Sequence, residues 1–476
     1  MSRPPSVERT LCADLPGAQP GAAVRLAGWV HRRRELARVT FVVVRDRSGL
    51  AQVVLPPGSA VPPEETTVEV TGIVTANGQA PGGVEVTEAT VTPLTEPAET
   101  PPFELWRPAL TAGLPAQLDH APITWRHPAQ RARWELAAAS LRGFRETLDG
   151  LGFTEVQTPK FVESATESGA NVFAVDYFGR PAYLAQSPQF YKQQLVGVFE
   201  RVYEVGPVFR AEPHDTVRHL AEYVSLDVEL GFIRDHRDVL AVLREVVAGM
   251  VAGIRTHAAE AAELSGARLP EVPEVIPVLH FADALALVGA DPDEPDLAPE
   301  HERALGVWAR EEHGSDLLAV EGYPMVKRPF YTHPWVSTGS TDGTDSTGGT
   351  DPTDGTDPTG GTDPTDATDP TDGTDPTDRA PEVPPRWSNS FDLIFRGMEL
   401  VTGGQRLHRP SEYDAAIRAR GEDPATYAAY LQAFRHGMPP HGGFAIGLER
   451  WVGRLVEAAN IREVALFPRD LHRLAP

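Results

Sequence analysis

The sequence predicts an α+β protein: a small all-strand barrel, then a larger domain with an antiparallel sheet and flanking helices. Three observations carry this. Residues 24–94 contain five short strand-like runs separated by Gly-bearing turns. Residues 203–233 read as two strands around a charged loop, with Val224, Leu226, Val228 and Leu230 alternating with Ser225, Asp227 and Glu229. Residues 129–150 and 238–255 instead space their apolar side chains for helices.

A chain of 476 residues allows two to four domains and a sizeable core. Its longest uncharged apolar stretch, Val246 to Ile254, is too short for a bilayer. The start, MSRPPSVERT, lacks the apolar core of a signal peptide. The single Cys12 excludes an intramolecular disulfide framework and a Cys-rich zinc site. A cytoplasmic protein is expected. The net charge of −24 opposes nucleic-acid binding at first count, but eleven Asp lie in one repeat, and the rest of the chain carries −13. Residues 24–54 hold seven Arg against Glu35 and Asp46, and a basic face is enough for nucleic acid. Lysine survives only at 160, 192 and 327; this is either chance or a sign of sites that need a compact ammonium in place of a guanidinium.

In chain order, residues 1–20 are Pro-rich and expected to be extended. VRLAGWVH, VTFVVVRD, LAQVVL, TTVEVTGIVTA and GVEVTEATVTPL are the five strands; an OB-fold is the leading candidate, and a barrel without nucleic-acid function is the alternative. Residues 95–125 form a Pro-rich linker, and 126–476 the larger domain. Trp134, Leu136, Leu141, Phe144 and Leu148 mark the apolar side of a helix ended by Gly150 and Gly152. ESATESGANVF (163–173) reads as a polar loop. Ser187 and Pro188 start a helix that puts Gln189 and Lys192 on one face. Arg210, Glu212, His214, Asp215, Arg218 and His219 crowd the hairpin tip, either as a solvated turn or as a grip on an anion. Six Thr/Asp/Gly/Pro-rich hexamers from Thr341 hold no apolar residue larger than Ala367 and cannot bury a core, so 338–380 is expected to be a disordered insertion whose ends lie close together. Asp392 and Glu399 follow on one strand-like run, on opposite faces unless a bulge or a turn at Gly397 intervenes. GGFAIG then enters a helix with Leu448, Trp451, Leu455 and Val456 as its core stripe.

GFTEVQTPKF (152–161), FRAE with RHLAEY and LDVE, and GGFAIGLERWVGRL (442–455) resemble, in order, the three signature motifs of class II aminoacyl-tRNA synthetases. LAQSPQFYKQ (184–193) and GGQR (403–406) resemble the archaeal-type aspartyl group. The resemblance implies a class II catalytic domain, a homodimer paired through the first motif, and aspartate, ATP and tRNA as substrates, with Mg²⁺. It implies that Arg210 bridges the substrate carboxylate and α-phosphate, Arg218 and His219 hold the outer phosphates, Tyr223 stacks on adenine and Arg450 clamps ATP. Glu212, Leu220, Gly447, Leu448 and Glu449 complete the implied ATP set. Glu399, Thr402 and Asp392 are the implied metal ligands. Glu167, Gln189, Lys192, Asp227, Thr402 and Arg406 are implied to bind aspartate with Arg210, the cations Lys192 and Arg406 meeting its side-chain carboxylate. In the barrel, Phe41 would stack on an anticodon base and Gln52 read its edge. His31 and Pro81 stand where a strict enzyme tends to carry Trp and Lys, which implies charging of both tRNA(Asp) and tRNA(Asn), with a separate amidotransferase downstream.

Overall fold

The computed structural model describes residues 8–163, 171–213, 215–335 and 386–476. Glu167, His214 and the 338–380 repeat lie outside the described residues. The repeat's flanks meet: Trp335 N donates to Trp387 O at 2.8 Å, so the two ends are neighbours, as expected.

The five runs form a closed barrel, ordered β1 (Ala23–Leu36), β2 (Val39–Arg45), β3 (Leu50–Leu55), β5 (Val84–Pro93), β4 (Thr67–Ala76). Alternate Val, Leu and Ala side chains, among them Leu26, Val42, Val53, Val70 and Val86, point inward and are buried. In β1 the alternation breaks at a bulge between Val30 and Arg32, where His31 turns inward instead of outward. Residues 12–17 are not extended: they form a 3₁₀ turn whose Cys12 and Leu15 join the barrel core. The linker is also more structured than its composition suggests, with short helices at Leu114–Asp119 and Ala121–Thr124.

The second unit is built on an eight-stranded sheet. Its order is β12 (Val278–His280), β13 (Leu317–Glu321), β14 (Ser390–Phe395), β15 (Glu399–Gln405), β16 (His441–Gly447), β11 (Glu222–Gly231), β10 (Arg201–Phe209), β6 (Thr154–Glu155). Both edge strands pair in parallel and the rest antiparallel. A separate small sheet joins β7 (Phe161–Val162), β9 (Arg180–Leu184) and β8 (Ala174–Tyr177). The Pro128–Gly150 and His236–His257 helices bury their apolar stripes on one face of the large sheet, against Leu226, Val228, Phe444 and Ile446. Trp451, from the final long helix, is buried there and donates to Ser140 Oγ at 2.9 Å.

This packing explains one departure from expectation. A period-two strand predicts a solvated polar face, yet Ser225 to Leu230 are all buried. The polar side chains of β11 face a cleft bounded by the Gln189–Phe199 helix, beside β16 and β15 of the same sheet, and carry charge partners that make burial tolerable. Among the described residues, no helix is long and apolar enough to cross a membrane.

Candidate active site

The cleft has a volume of ≈ 570 Å³. The sheet supplies its floor, the Gln189–Phe199 helix one wall, and the 210–221 loop the rim. Gln189, Lys192, Arg210, Glu212, Arg218, His219, Leu220, Tyr223, Glu399, Thr402, Arg406, Gly447, Glu449 and Arg450, all singled out in the sequence, line it together. Leu448 does not: it is buried in the helical core.

The floor is a buried charge cluster. Lys192 and Arg406 are only 1 % and 7 % exposed. Lys192 Nζ lies 3.1 Å from Asp227 Oδ1 and 3.3 Å from Glu229 Oε2. Arg406 Nε donates to Glu229 Oε1 at 3.0 Å and its Nη2 to Gly443 O at 3.0 Å. The two cations are therefore not bare, as the sequence suggested; Glu229 ties them together. Burial alone would push the Glu229 carboxyl up, but Arg406 and Lys192 outweigh it and hold it below the usual carboxylate range. Position 443 must be glycine, because a Cβ there would sit 2.1 Å from Glu229 Oε2. Burial pushes the neighbouring His441 down to about 4, so this imidazole adds no charge at neutral pH. Ser187 Oγ accepts from Gln189 N at 3.1 Å, which fixes the start of the helix carrying Gln189 and Lys192.

The other end of the cleft is more open. Arg450 and Glu399 retain side-chain exposures of 33 % and 39 %, at 3.7 Å from each other. Thr402 Oγ1 donates to Glu399 Oε1 at 3.2 Å. Asp392 and Glu399 are not on one strand. A two-residue turn with Arg396 at φ 49° and Gly397 at φ 74° separates β14 from β15. A register shift at Leu400 then restores parity, since Asp392 faces Thr402 and Ile394 faces Glu399. The bulge brings Asp392, Glu399 and Thr402 to one side. Asp392 nevertheless sits behind the cleft wall, with both oxygens 3.2 Å from Arg328 Nη2. Burial pushes its carboxyl up to about 6 against the pull of Arg328. Among the described residues no group of three or more His, Cys, Asp or Glu is placed to hold a metal. Glu399 with Thr402 is an exposed oxygen pair of the kind Mg²⁺ accepts while keeping most of its waters.

Several residues here carried no local signal. Glu302, from the Pro299–His313 helix, lies 3.5 Å from Arg218 Nη1 and accepts from Glu399 N at 3.2 Å. Arg328 lines the cleft and lies 4.1 Å over the Tyr323 ring. Arg462, nearly buried, donates to Asp215 at 2.7 Å and to Thr216 O at 3.1 Å, bracing the 210–221 loop. Ala221 N donates to Arg469 O at 2.7 Å, so the C-terminal segment supports the same loop. Glu229 was the exception: it stands two residues from Asp227 on one strand and shares its face. Glu449 is a buried prop, accepting from Val224 N at 3.1 and 3.2 Å, with burial pushing its carboxyl up to about 7.

In the barrel, Phe41 and Gln52 stand half-buried on the outer face; Val43 pairs with Gln52 and Phe41 with Val54. Gln52 Nε2 donates to Glu85 Oε2 at 2.9 Å. Pro81 is exposed at the start of a 3₁₀ turn. His31 is only 6 % exposed and its Nδ1 lies 3.0 Å from Arg45 Nη1. Burial and Arg45 push its imidazole down to about 4, so Nδ1 accepts and the ring is neutral. This ring is not offered to a base.

Two family models match this chain: tRNA synthetases class II (D, K and N) over residues 115–471, and an OB-fold nucleic acid binding domain over 24–94. The aspartate–tRNA(Asp/Asn) ligase of Thermus thermophilus is 42 % identical, covering 98 % of this chain and 100 % of that protein. The ligase of the same name from Deinococcus radiodurans is 41 % identical, covering 99 % of each. Among solved structures, asparaginyl-tRNA synthetase from Pyrococcus horikoshii, complexed with asparaginyl-adenylate, superposes with a TM-score of 0.80 at 27 % identity, covering 99 % of this chain and 100 % of that one. The motifs, the antiparallel sheet and the matched lengths agree: the chain belongs to the class II tRNA synthetases and is an aminoacyl-tRNA ligase with an N-terminal OB-fold domain.

Proposed function

We propose that this protein attaches L-aspartate to both tRNA(Asp) and tRNA(Asn) through an aspartyl-adenylate. The carrying observation is the buried Lys192–Glu229–Arg406 cluster on the cleft floor. Lys192 and Arg406 line the cleft as buried cationic donors, held in place by Asp227 and Glu229. A substrate side-chain carboxylate brings a charge that such donors attract, and an amide brings none. The Thermus and Deinococcus relatives, whose names include both tRNAs, support the same reading.

In the first step the substrate α-carboxylate attacks the α-phosphorus of ATP and pyrophosphate leaves. Arg210 bridges carboxylate and α-phosphate, with Glu212 beside it on the loop. Arg218, His219 and Arg450 neutralise the outer phosphates. Tyr223 and Leu220 hold adenine, with Gly447 and the Glu449-braced strand as its bed. In the second step a tRNA ribose hydroxyl attacks the adenylate carbonyl and AMP leaves. Both steps rest on positioning and charge neutralisation, and no protein nucleophile is needed. Asp227 and Glu167 attract the substrate ammonium; Gln189 and Thr402 flank its carboxylates. Glu399 and Thr402 would hold Mg²⁺, with Asp392 behind them; charge neutralisation at the phosphates is the chemistry that ion supplies.

Phe41 and Gln52 read the anticodon, and His31 and Pro81 permit either pyrimidine at its last position. The protein works in the cytoplasm as a homodimer paired through 152–161, where Phe161 is 55 % exposed. Its aspartyl-tRNA(Asn) is a substrate for a separate amidotransferase. The test is charging of both tRNA transcripts with labelled aspartate under matched conditions. Comparable efficiencies are expected; a preference for tRNA(Asp) of about a hundredfold or more, beyond what one base typically contributes, would contradict dual charging.

A further inference from the structure

The junction between barrel and cleft is fastened at one buried carboxylate. Glu65 sits at φ 67°, a backbone region that non-glycine residues occupy only when held there. Its amide donates to Val30 O at 2.7 Å, beside the β1 bulge. Its side chain is almost fully buried and receives both arms of Arg45, each at 2.8 Å. Arg126, just before the Pro128–Gly150 helix, donates to the same carboxylate at 3.0 Å. Arg45 belongs to the barrel and Arg126 to the catalytic side. One anion thus joins two cations from different units, with His31 packed against Arg45.

The residues around Arg126 reach both ways. Arg131 Nη1 donates to Asp46 O of the barrel at 3.4 Å. Trp125 Nε1 donates to Leu466 O at 2.7 Å and Arg133 Nη1 to Glu463 O at 2.9 Å. Glu463 adjoins Arg462, which braces the loop over the cleft. A bracket at 125–133 therefore holds the barrel on one side and the cleft rim on the other. Arg32 lies 3.7 Å over the Trp106 ring of the linker as a second tie, so loosening the first does not release the barrel.

We infer that Glu65 and Arg126 are positioning residues that fix the barrel's angle to the cleft, and that charging of tRNA depends on them while amino-acid activation does not. The inference rests on the ligase reading above. Activation uses the cleft alone; charging needs one tRNA to occupy barrel and cleft together, and a small misplacement of the two is costly.

The experiment compares full-length wild type, Arg126→Met, Arg126→Lys and Glu65→Gln. Arg126 is 39 % exposed at its side chain, so its replacement leaves the barrel core and the Arg45–Glu65 pair intact. Arg126→Met should keep aspartate-dependent ATP–pyrophosphate exchange within about twofold while kcat/KM for charging tRNA(Asp) falls about tenfold or more. Glu65→Gln should lose at least as much, and Arg126→Lys should recover part. Binding of an isolated anticodon stem-loop should be unchanged in Arg126→Met. Wild-type charging by Arg126→Met, a proportionate fall in exchange, or an equal loss of stem-loop binding would each overturn the inference. Failure of the wild type to exchange with aspartate would sink the ligase reading alone. The fastening is then judged by whether Arg126→Met weakens binding of full-length tRNA but not of the stem-loop.

Discussion

The two ends of the cleft handle charge in opposite ways. At the floor, Lys192, Arg406, Asp227 and Glu229 are buried and mutually paired within 3.0 to 3.3 Å. At the mouth, Arg450, Glu399 and Arg218 keep partial exposure, and the pairs are looser: Arg218 with Glu302 at 3.5 Å and Arg450 with Glu399 at 3.7 Å. Floor charges are weakly screened and strongly coupled, the condition under which a carboxylate and an amide differ most in energy. Mouth charges stay hydrated and can reorganise. The proposed function therefore assigns selectivity to the paired end and nucleotide capture to the open one.

The comparison breaks most visibly at the floor. Lys192→Met and Arg406→Leu each leave Glu229 buried with half its compensation, at a cost of roughly 3–5 kcal/mol. Aspartate kcat/KM in pyrophosphate exchange should fall about two to three orders of magnitude, with a lower Tm, while ATP binding survives. Wild-type aspartate activation by either variant would remove that residue from the side-chain pocket.

Arg450→Ala probes the mouth. Loss of a charged hydrogen-bonding partner for phosphate should cost about 1.5–3 kcal/mol in ATP binding. The Tm should barely move, because the exposed pair with Glu399 contributes little to folding. An equal fall in Tm and in ATP affinity would erase the contrast between the two ends.

Glu449, with its folded pKa raised from 4.5 to about 7, tests burial without a cationic partner. Between those values the folded state holds a proton that the unfolded state has released, so stability falls as pH rises across this window. Gln keeps an acceptor for Val224 N. Glu449→Gln should therefore gain on wild type by up to roughly 3 kcal/mol between pH 4.5 and 7. Parallel stability curves would show that the carboxyl is ordinary.

The smallest effect is expected far from both ends. Replacing 341–378 by a short Gly/Ser linker should leave Tm and exchange nearly unchanged, since Trp335 and Trp387 already meet and loop length costs only about 0.6 kcal/mol per doubling. A large loss in either would show that the insertion packs on the domain.

Much of this was legible because it is local. The barrel strands declare themselves by alternation, and Gln189 and Lys192 by helical spacing. The same local rules misled where tertiary burial took over. β11 was expected to be half-solvated because nothing nearby in sequence shows the helix beside its polar face or the cations it meets there. His31 ends the strand-like run VRLAGWVH, and nothing in that run shows the bulge that turns it onto Arg45. Asp392 and Glu399 shared a face only through a turn and a bulge, and parity cannot be counted across either. Glu302, Arg328 and Arg462 reach the cleft region from segments far away in sequence, so no spacing could have gathered them.

Selection of a negatively charged amino acid by Lys192 and Arg406 is tested by ATP–pyrophosphate exchange with aspartate and asparagine on the wild-type protein. Aspartate should support exchange and asparagine should be at least about a hundredfold poorer, as expected when an amide replaces the carboxylate that two buried cations attract. Equal exchange with asparagine, or exchange with asparagine alone, would contradict the account.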